Sequence, residues 1–344
     1  MNSSNHGLRN TGNPEGTPGI ARFVLISFFI FLMGYFLFPE RRYQYLYYYL
    51  LVLLPAIPVY WQQRGLWLRD KTLLASLALI IFLTSSLLWS GELNWSCAFF
   101  TLAQGILTAS FVFIVFYLRH QFSERFQHWL KAVLVLAALA SIYHIADFVM
   151  EAPSWTARMF SLGQFMHPNS LGVAFGLLAV MAAGFMFTAG PAWEKSGFVV
   201  IGLIFAAVVL LSQSRNALLS AGVGLFILFA YYARHGYWRY ILILAIAGAG
   251  LLLVAGLPVL ERLQSAGLPY RIDMWKIALE QIQSAWLFGH GICSKISLPV
   301  RGMTFNHPHN VYLATAWYSG LIGLLLFLWL LARALSDAWF ALRH

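Results

Sequence analysis

Apolar runs of roughly helix-spanning length recur along the chain, at 20–38, 43–61, 72–89, 96–118, 129–150, 170–189, 197–211, 217–232, 240–256 and 311–331, with short polar breaks between most of them. A helix needs about 20 apolar residues to cross a hydrocarbon core ~30 Å thick. The pattern therefore predicts an all-α polytopic membrane protein with about ten transmembrane helices. A β-barrel would read as short alternating segments, and the sequence has none. Pro55 and Pro58 predict a kink in the second span. Residues 257–310 form the one long break, and 1–19 are polar and rich in Asn, Gly and Pro, which predicts a disordered tail. The first apolar run is too long for a signal-peptide core and is read as a retained span. Residues 20–344 then form a single transmembrane domain.

Composition agrees with this reading: 60% of the residues are hydrophobic, 10% are charged, and the mean hydropathy is +0.71, which excludes an ordinary soluble domain. The formal charge of +10 is not a nucleic-acid footprint. The basic residues sit between spans, where lipid headgroups and topology account for most of them. With the N-terminus inside, inner segments carry 13 of the 22 Lys and Arg. Five of the remaining nine, Arg262, Arg271, Lys276, Lys295 and Arg301, lie in the long loop, where charge counts little for orientation. The tail is thus expected to be cytoplasmic. Arg158, Arg215 and the long loop then share the outer face, where arginines run against the charge rule. Cys97 and Cys293 have neither a metal-ligand spacing nor the pattern of a disulfide framework.

Arg215 lies in Ser212-Gln213-Ser214-Arg215-Asn216, between two apolar runs that hold no other ionisable residue. It either snorkels to the headgroups or binds an anion at the membrane surface. In the long loop, Ile272, Trp275, Leu279, Ile282 and Trp286 follow helical spacing after Pro269 and predict an amphipathic helix lying on the membrane or capping a cavity. Arg271 falls in its first turn, where it opposes the helix dipole unless a phosphate is bound. The loop ends in Asn306-His307-Pro308-His309-Asn310. A neutral His at the membrane boundary is a candidate general base, and Asn310 is a candidate cap for the last helix. The intervening Pro308, with no Cys or carboxylate nearby, argues against a metal site. His167-Pro168-Asn169-Ser170 opens the sixth span, with Asn169 or Ser170 as its cap. Arg158 reads as a loop charge. His144 and Asp147, one turn apart, are a minor candidate pair.

Taken together, these segments resemble the O-antigen ligase family, which shares a domain with O-antigen polymerases and bacterial protein O-oligosaccharyltransferases. The matching stretches are Arg158-Met159-Phe160-Ser161-Leu162-Gly163 with His167-Pro168-Asn169-Ser170-Leu171-Gly172, then Ser212-Gln213-Ser214-Arg215-Asn216-Ala217-Leu218-Leu219. Arg271-Ile272-Asp273-Met274-Trp275 follows, with Trp286-Leu287-Phe288-Gly289-His290-Gly291. Last come His309-Asn310-Val311-Tyr312-Leu313 and Gly320-Leu321-Ile322-Gly323. The order of the four pieces, with the long loop between the third and fourth, gives the resemblance its specificity, and it is clearest over 150–330.

The resemblance implies a bacterial inner-membrane glycosyltransferase of the GT-C type with a periplasmic active site. It would be metal-independent, without a cofactor, and inverting at the anomeric carbon. The donor would be an undecaprenyl-diphosphate-linked glycan and the acceptor lipid A–core oligosaccharide. His309 would be the catalytic base, and Arg158, Arg215 and Arg271 would face the diphosphate. His167, Asn169, His307 and Asn310 are secondary candidates. Family members commonly have about twelve spans, so the chain reads as either a naturally short member or a truncated one. Three arginines could neutralise a departing diphosphate without a metal. The rivals are an O-antigen polymerase, a protein O-oligosaccharyltransferase, which usually carries a larger soluble C-terminal region, and a transporter of an anionic lipid-linked sugar. The transporter should show repeated halves, and no repeat is evident.

Overall fold

The structure is a computed structural model that describes residues 18–38, 40–62, 70–91, 94–151, 157–160, 162–188, 190–238, 242, 246, 250 and 269–343. Its helices are α1 (Pro18–Leu37), α2 (Arg41–Tyr47), α3 (Leu54–Gln62), α4 (Lys71–Ser85), α5 (Trp95–Gln121), α6 (Ser123–Glu151), α7 (Pro168–Thr188), α8 (Ala192–Ser212), α9 (Arg215–Arg234), α10 (Pro269–Ser284) and α11 (Val311–Arg343). Among the described residues, eight helices are long and apolar enough to cross a membrane. The chain is a multi-pass, all-α membrane protein. The second expected span is present as α2 and α3 joined by a π-helical turn, Tyr48–Leu53, directly before Pro55. Proline lacks the N–H that would close an ordinary turn, and the wider π spacing absorbs the defect. Most of the expected span at 240–256 lies outside the described residues, as do 1–17 of the tail and 257–268 of the loop.

Lipid tails are as apolar as the helices, so close packing rather than exclusion of water drives their association. Two devices provide it. Phe28, Phe29 and Phe31 of α1 are fully buried and meet Phe111, Phe126, Trp129 and Tyr48 in tilted, edge-on or stacked contacts. Farther along the chain, small residues let backbones approach. Gly172 and Gly176 on α7 face Ala217 and Ala221 on α9, and a Cβ on Gly172 would stand 2.6 Å from Ser212 Oγ and 2.8 Å from the Ala217 Cβ. That contact sets the first turn of α9, with Arg215, against the first turns of α7.

One end of the bundle is tied together. Residues 162–165 lie against the tips of α1 and α2. The Gln164 amide nitrogen donates to Gln44 Oε1 (2.8 Å), and Gln44 donates to the Phe31 carbonyl (2.6 Å). Gly163, at φ 55, packs its bare Cα against the Tyr35 carbonyl. At the same end, Ser86 and Ser90 accept the backbone N–H groups of Ile292 and Cys293, each at 3.0 Å. Trp89 donates to the Phe288 carbonyl (3.1 Å). Cys97 and Cys293 form a disulfide, against the sequence expectation. No spacing rule finds a bridge whose partners lie 196 residues apart and are brought together only by the fold.

The loop holds a small structure that periodicity did not predict. Strands Leu298–Val300 (β1) and Met303–Phe305 (β2) pair antiparallel through a two-residue turn, Arg301-Gly302, with both φ positive, as tight hairpins require. Met274 and Ala278 of α10 pack on Leu298 and Val300. The expected apolar stripe therefore divides. Trp275 packs inward beside Met274, Ile277 and Ala278, while Ile272, Leu279 and Trp286 stay exposed. The protein-facing side of α10 is thus offset from the side that spacing alone selected.

Helix α11 is broken at Gly320 (φ 63, ψ −163), a conformation open essentially to glycine alone. The segment 286–291 fills the break. His290 and Gly291 N–H donate to the Trp317 and Tyr318 carbonyls (2.9 Å each), and Leu321 N–H donates to the Trp286 carbonyl (2.8 Å). Backbone groups released at membrane depth must find partners within the protein. Glycine at 289 is required because a Cβ there would overlap the Ser319 and Gly320 amides.

Candidate functional site

The expected site residues fall into two groups at the tied end of the bundle. The first surrounds the C-terminus of α8. The last carbonyls of a helix lack partners within it; here Met159 N–H reaches the Leu211 carbonyl (2.9 Å) and Arg158 Nε reaches the Ser212 carbonyl (3.0 Å). Gln213 takes the left-handed conformation (φ 49) that ends the helix, and its amide nitrogen donates to the Ala157 carbonyl (2.9 Å). Arg158 thus caps α8 with favourable charge–dipole geometry, and its Nη2 also donates to Asn169 Oδ1 (3.2 Å). It is more than the solvated loop charge that local sequence suggested. Ser214 is the N-cap of α9 but makes no side-chain capping bond. Half-buried Arg215 is the first residue of that helix. One short turn therefore joins a helix C-terminus capped by Arg158 to a helix N-terminus that begins with Arg215.

Asn169 does not cap α7. The helix starts at Pro168, and the cap is His167, whose Nδ1 accepts the Asn169 N–H (3.1 Å). Proline at the first position loses nothing, since its missing N–H would have no helical partner. Asn169 is thereby freed to hold Arg158.

The second group forms at the loop's end and repeats this His-Pro turn. His307 Nδ1 accepts the His309 N–H (2.8 Å), and the two rings lie 5.4 Å apart. The bond places the proton of a neutral His307 ring on Nε2. Trp275 Nε1 donates to the Pro308 carbonyl (2.9 Å), tying the peptide just before His309 to α10. Asn310 caps α11 as expected, accepting from Tyr312 and Leu313 N–H (2.9 and 3.2 Å). His309 itself is exposed, with φ 50. A non-glycine residue in that region is uncommon. No hydrogen bond engages its ring among the described residues.

Electrostatics at this group is one-sided. Partial burial, first, then the nearby His307 and the Arg271 guanidinium, hold the His309 imidazole below its ordinary pKa. It is therefore neutral near pH 7 with a lone pair to offer. Asp273, two residues on from Arg271, is paired with Arg301 (3.3 Å), so the local carboxylate is already matched and the Arg271 charge acts on His309. Among the described residues Arg271 has no ion pair. His144 and Asp147 make neither a hydrogen bond nor an ion pair with each other, and that candidate falls away.

Three supports went unseen in the sequence: the disulfide, the Trp275 bond to Pro308, and a cluster around Gln281. In that cluster Gln281 accepts from Trp317 Nε1 (2.9 Å) and donates to the Ser297 carbonyl (2.8 Å). The His290 ring stacks on Trp317 and lies 3.0 Å from the Gln281 carbonyl. The Gly289-His290-Gly291 and Gly320 glycines were the one legible hint of this packing.

Residues 198–328 match a family described as O-Antigen ligase. That stretch contains Arg215, Arg271, His307 and His309, and leaves Arg158, His167 and Asn169 upstream. A curated O-antigen ligase of Pseudomonas aeruginosa is 25% identical over 214 residues, 61% of this chain and 52% of that protein. The match thus spans about half the relative's length. No solved structure matches the chain. With four motifs in order and this match across 198–328, the second half of the chain is similar to the O-antigen ligase family.

Proposed function

We propose that this protein is an O-antigen ligase. It would transfer a glycan from undecaprenyl diphosphate to a hydroxyl of lipid A–core oligosaccharide, at the periplasmic face of the bacterial inner membrane, in lipopolysaccharide biosynthesis. The observation that carries the reading is His309: an accessible imidazole, held neutral by partial burial and by an Arg271 without an ion pair among the described residues, on a peptide fixed from both sides. In the reaction, His309 takes the proton of the acceptor hydroxyl as its oxygen attacks the anomeric carbon. The glycosidic oxygen leaves with its electron pair on the lipid diphosphate, and a single displacement inverts the centre. Arg215 and Arg271, with the first-turn N–H groups of their helices, stabilise the negative charge that develops. Arg158, held by Asn169, completes the cationic wall.

The disulfide supports the assignment of the face, because such bonds persist in oxidising compartments such as the periplasm. The Lys and Arg balance along the chain supports the same orientation. The test is reconstitution of the purified protein with a lipid-linked glycan and purified lipid A–core. Glycan joined to lipid A–core is expected. Extension of the donor's own glycan without transfer to the core would identify a polymerase instead.

A further inference from the structure

The face opposite the His309 group holds a cavity of about 1020 Å³ between α4, α5, α6, α7 and α11. Each of these helices lines it with the end opposite to the one it presents at the tied face. Its depth follows α5 from Arg119 back to Val112 and α6 from Ser123 to Leu130, which at 1.5 Å per residue is roughly 10 Å into the apolar zone. The volume is at the upper limit of ordinary ligand sites, about 300–1,000 Å³.

The walls are divided by depth. Val112, Phe116, Phe126, Leu130 and Phe185 form an apolar interior, and charged groups of both signs form the rim. Asp70 and Asp337 stand on the α4 and α11 side; Arg119 and His120 stand at the end of α5. Asp337 already accepts from Thr72 (2.5 Å) and Arg333 (2.9 Å), and Asp70 accepts the Leu73 N–H (2.7 Å). The carboxylates are thereby fixed in place rather than free to swing away. The His120 ring packs against Phe116 (4.6 Å), so the basic side of the rim is also held.

A ligand matching this distribution needs an apolar body and a head that carries both charges. We propose that the cavity binds a zwitterionic phospholipid of the leaflet on that face, one whose headgroup joins a phosphate to a primary ammonium. Its phosphate meets Arg119 and His120, its ammonium meets Asp337 and Asp70, and the first part of one acyl chain fills the Phe116–Phe126 interior. Asp337 is shared with Arg333, so Asp70, which has no ion pair among the described residues, is the carboxylate that favours an ammonium and disfavours a headgroup of net negative charge.

The test uses the full chain purified in mild detergent, with bound lipid read by native mass spectrometry after equal additions of phosphatidylethanolamine and phosphatidylglycerol. Phosphatidylethanolamine is expected to be retained over phosphatidylglycerol by about threefold to fivefold, the ratio that exposed charge pairs of up to ~1 kcal/mol supply. Arg119→Gln and Asp337→Asn should each erode that preference. Gln127→Trp, an exposed position at the mouth, should expel the lipid while the thermal midpoint holds. Equal or greater retention of phosphatidylglycerol would overturn the proposal. So would wild-type protein that retains neither lipid, or three variants that all retain phosphatidylethanolamine as the wild type does.

Discussion

At the scale of residues, the account turns on a charge and a lone pair. His309 has to be neutral to accept a proton, and its surroundings depress its affinity for one. Transfer should therefore be level above pH ~6.5, the ordinary value for histidine, and fall as pH drops below it. The Arg271 guanidinium helps to lower the imidazole's pKa, so Arg271→Gln should move the acid limb of the profile upward as well as slow the reaction. A measured pH–rate profile for both proteins checks the sign: an unshifted limb would separate Arg271 from His309. Arg215→Lys keeps the charge but loses the planar fork that grips two phosphate oxygens. It should slow transfer, and wild-type turnover would return Arg215 to a headgroup-anchoring role.

At the scale of elements, glycine and small-residue contacts hold the two site groups in place. Replacing Gly320 with Ala forces a side chain into a glycine-only conformation against the Leu287 carbonyl. A cost of about 1–3 kcal/mol is expected, read as a lower thermal midpoint for the folded protein. Gly172→Leu should do the same by pushing α9 away from α7. An unchanged midpoint in either variant would contradict the packing described. The spans were legible in the sequence because length and hydropathy alone define a helix in lipid. The His-Pro turns were half legible: the helix starts were evident, but the choice of His167 over Asn169 as cap depends on Arg158 engaging the Asn169 side chain. The face of α10 was misjudged because two apolar sides coexist on it, and only β1 and β2 decide which one is covered. The hairpin that does so is too short for periodicity to reveal.

At the scale of the whole molecule, the bundle end that carries the motifs is cross-linked by a disulfide and by the fit of residues 286–291 into broken α11. The pairing of Cys97 with Cys293 had no local signal, since it depends on Ser86, Ser90 and Trp89 first seating the loop. Protein from oxidising membranes should show no thiol reactive with maleimide until reduced and unfolded, because both cysteines are consumed. Removing the bridge with Cys97→Ser should lower stability by roughly 2–4 kcal/mol, and a midpoint equal to wild type would deny it a structural role. The family motifs lie far apart in sequence but fall in two groups at this end: Arg158 capping the helix that precedes Arg215, and Arg271 acting on His309.

The measurement that bears most directly on the account is glycan transfer and donor retention determined together for wild type and His309→Ala in reconstituted membranes. Loss of the proposed base should reduce transfer by about 10²–10⁴-fold while the lipid-linked donor stays bound, because the arginines proposed to hold its diphosphate are untouched. Transfer at the wild-type rate by His309→Ala, with normal donor binding, would contradict the central claim.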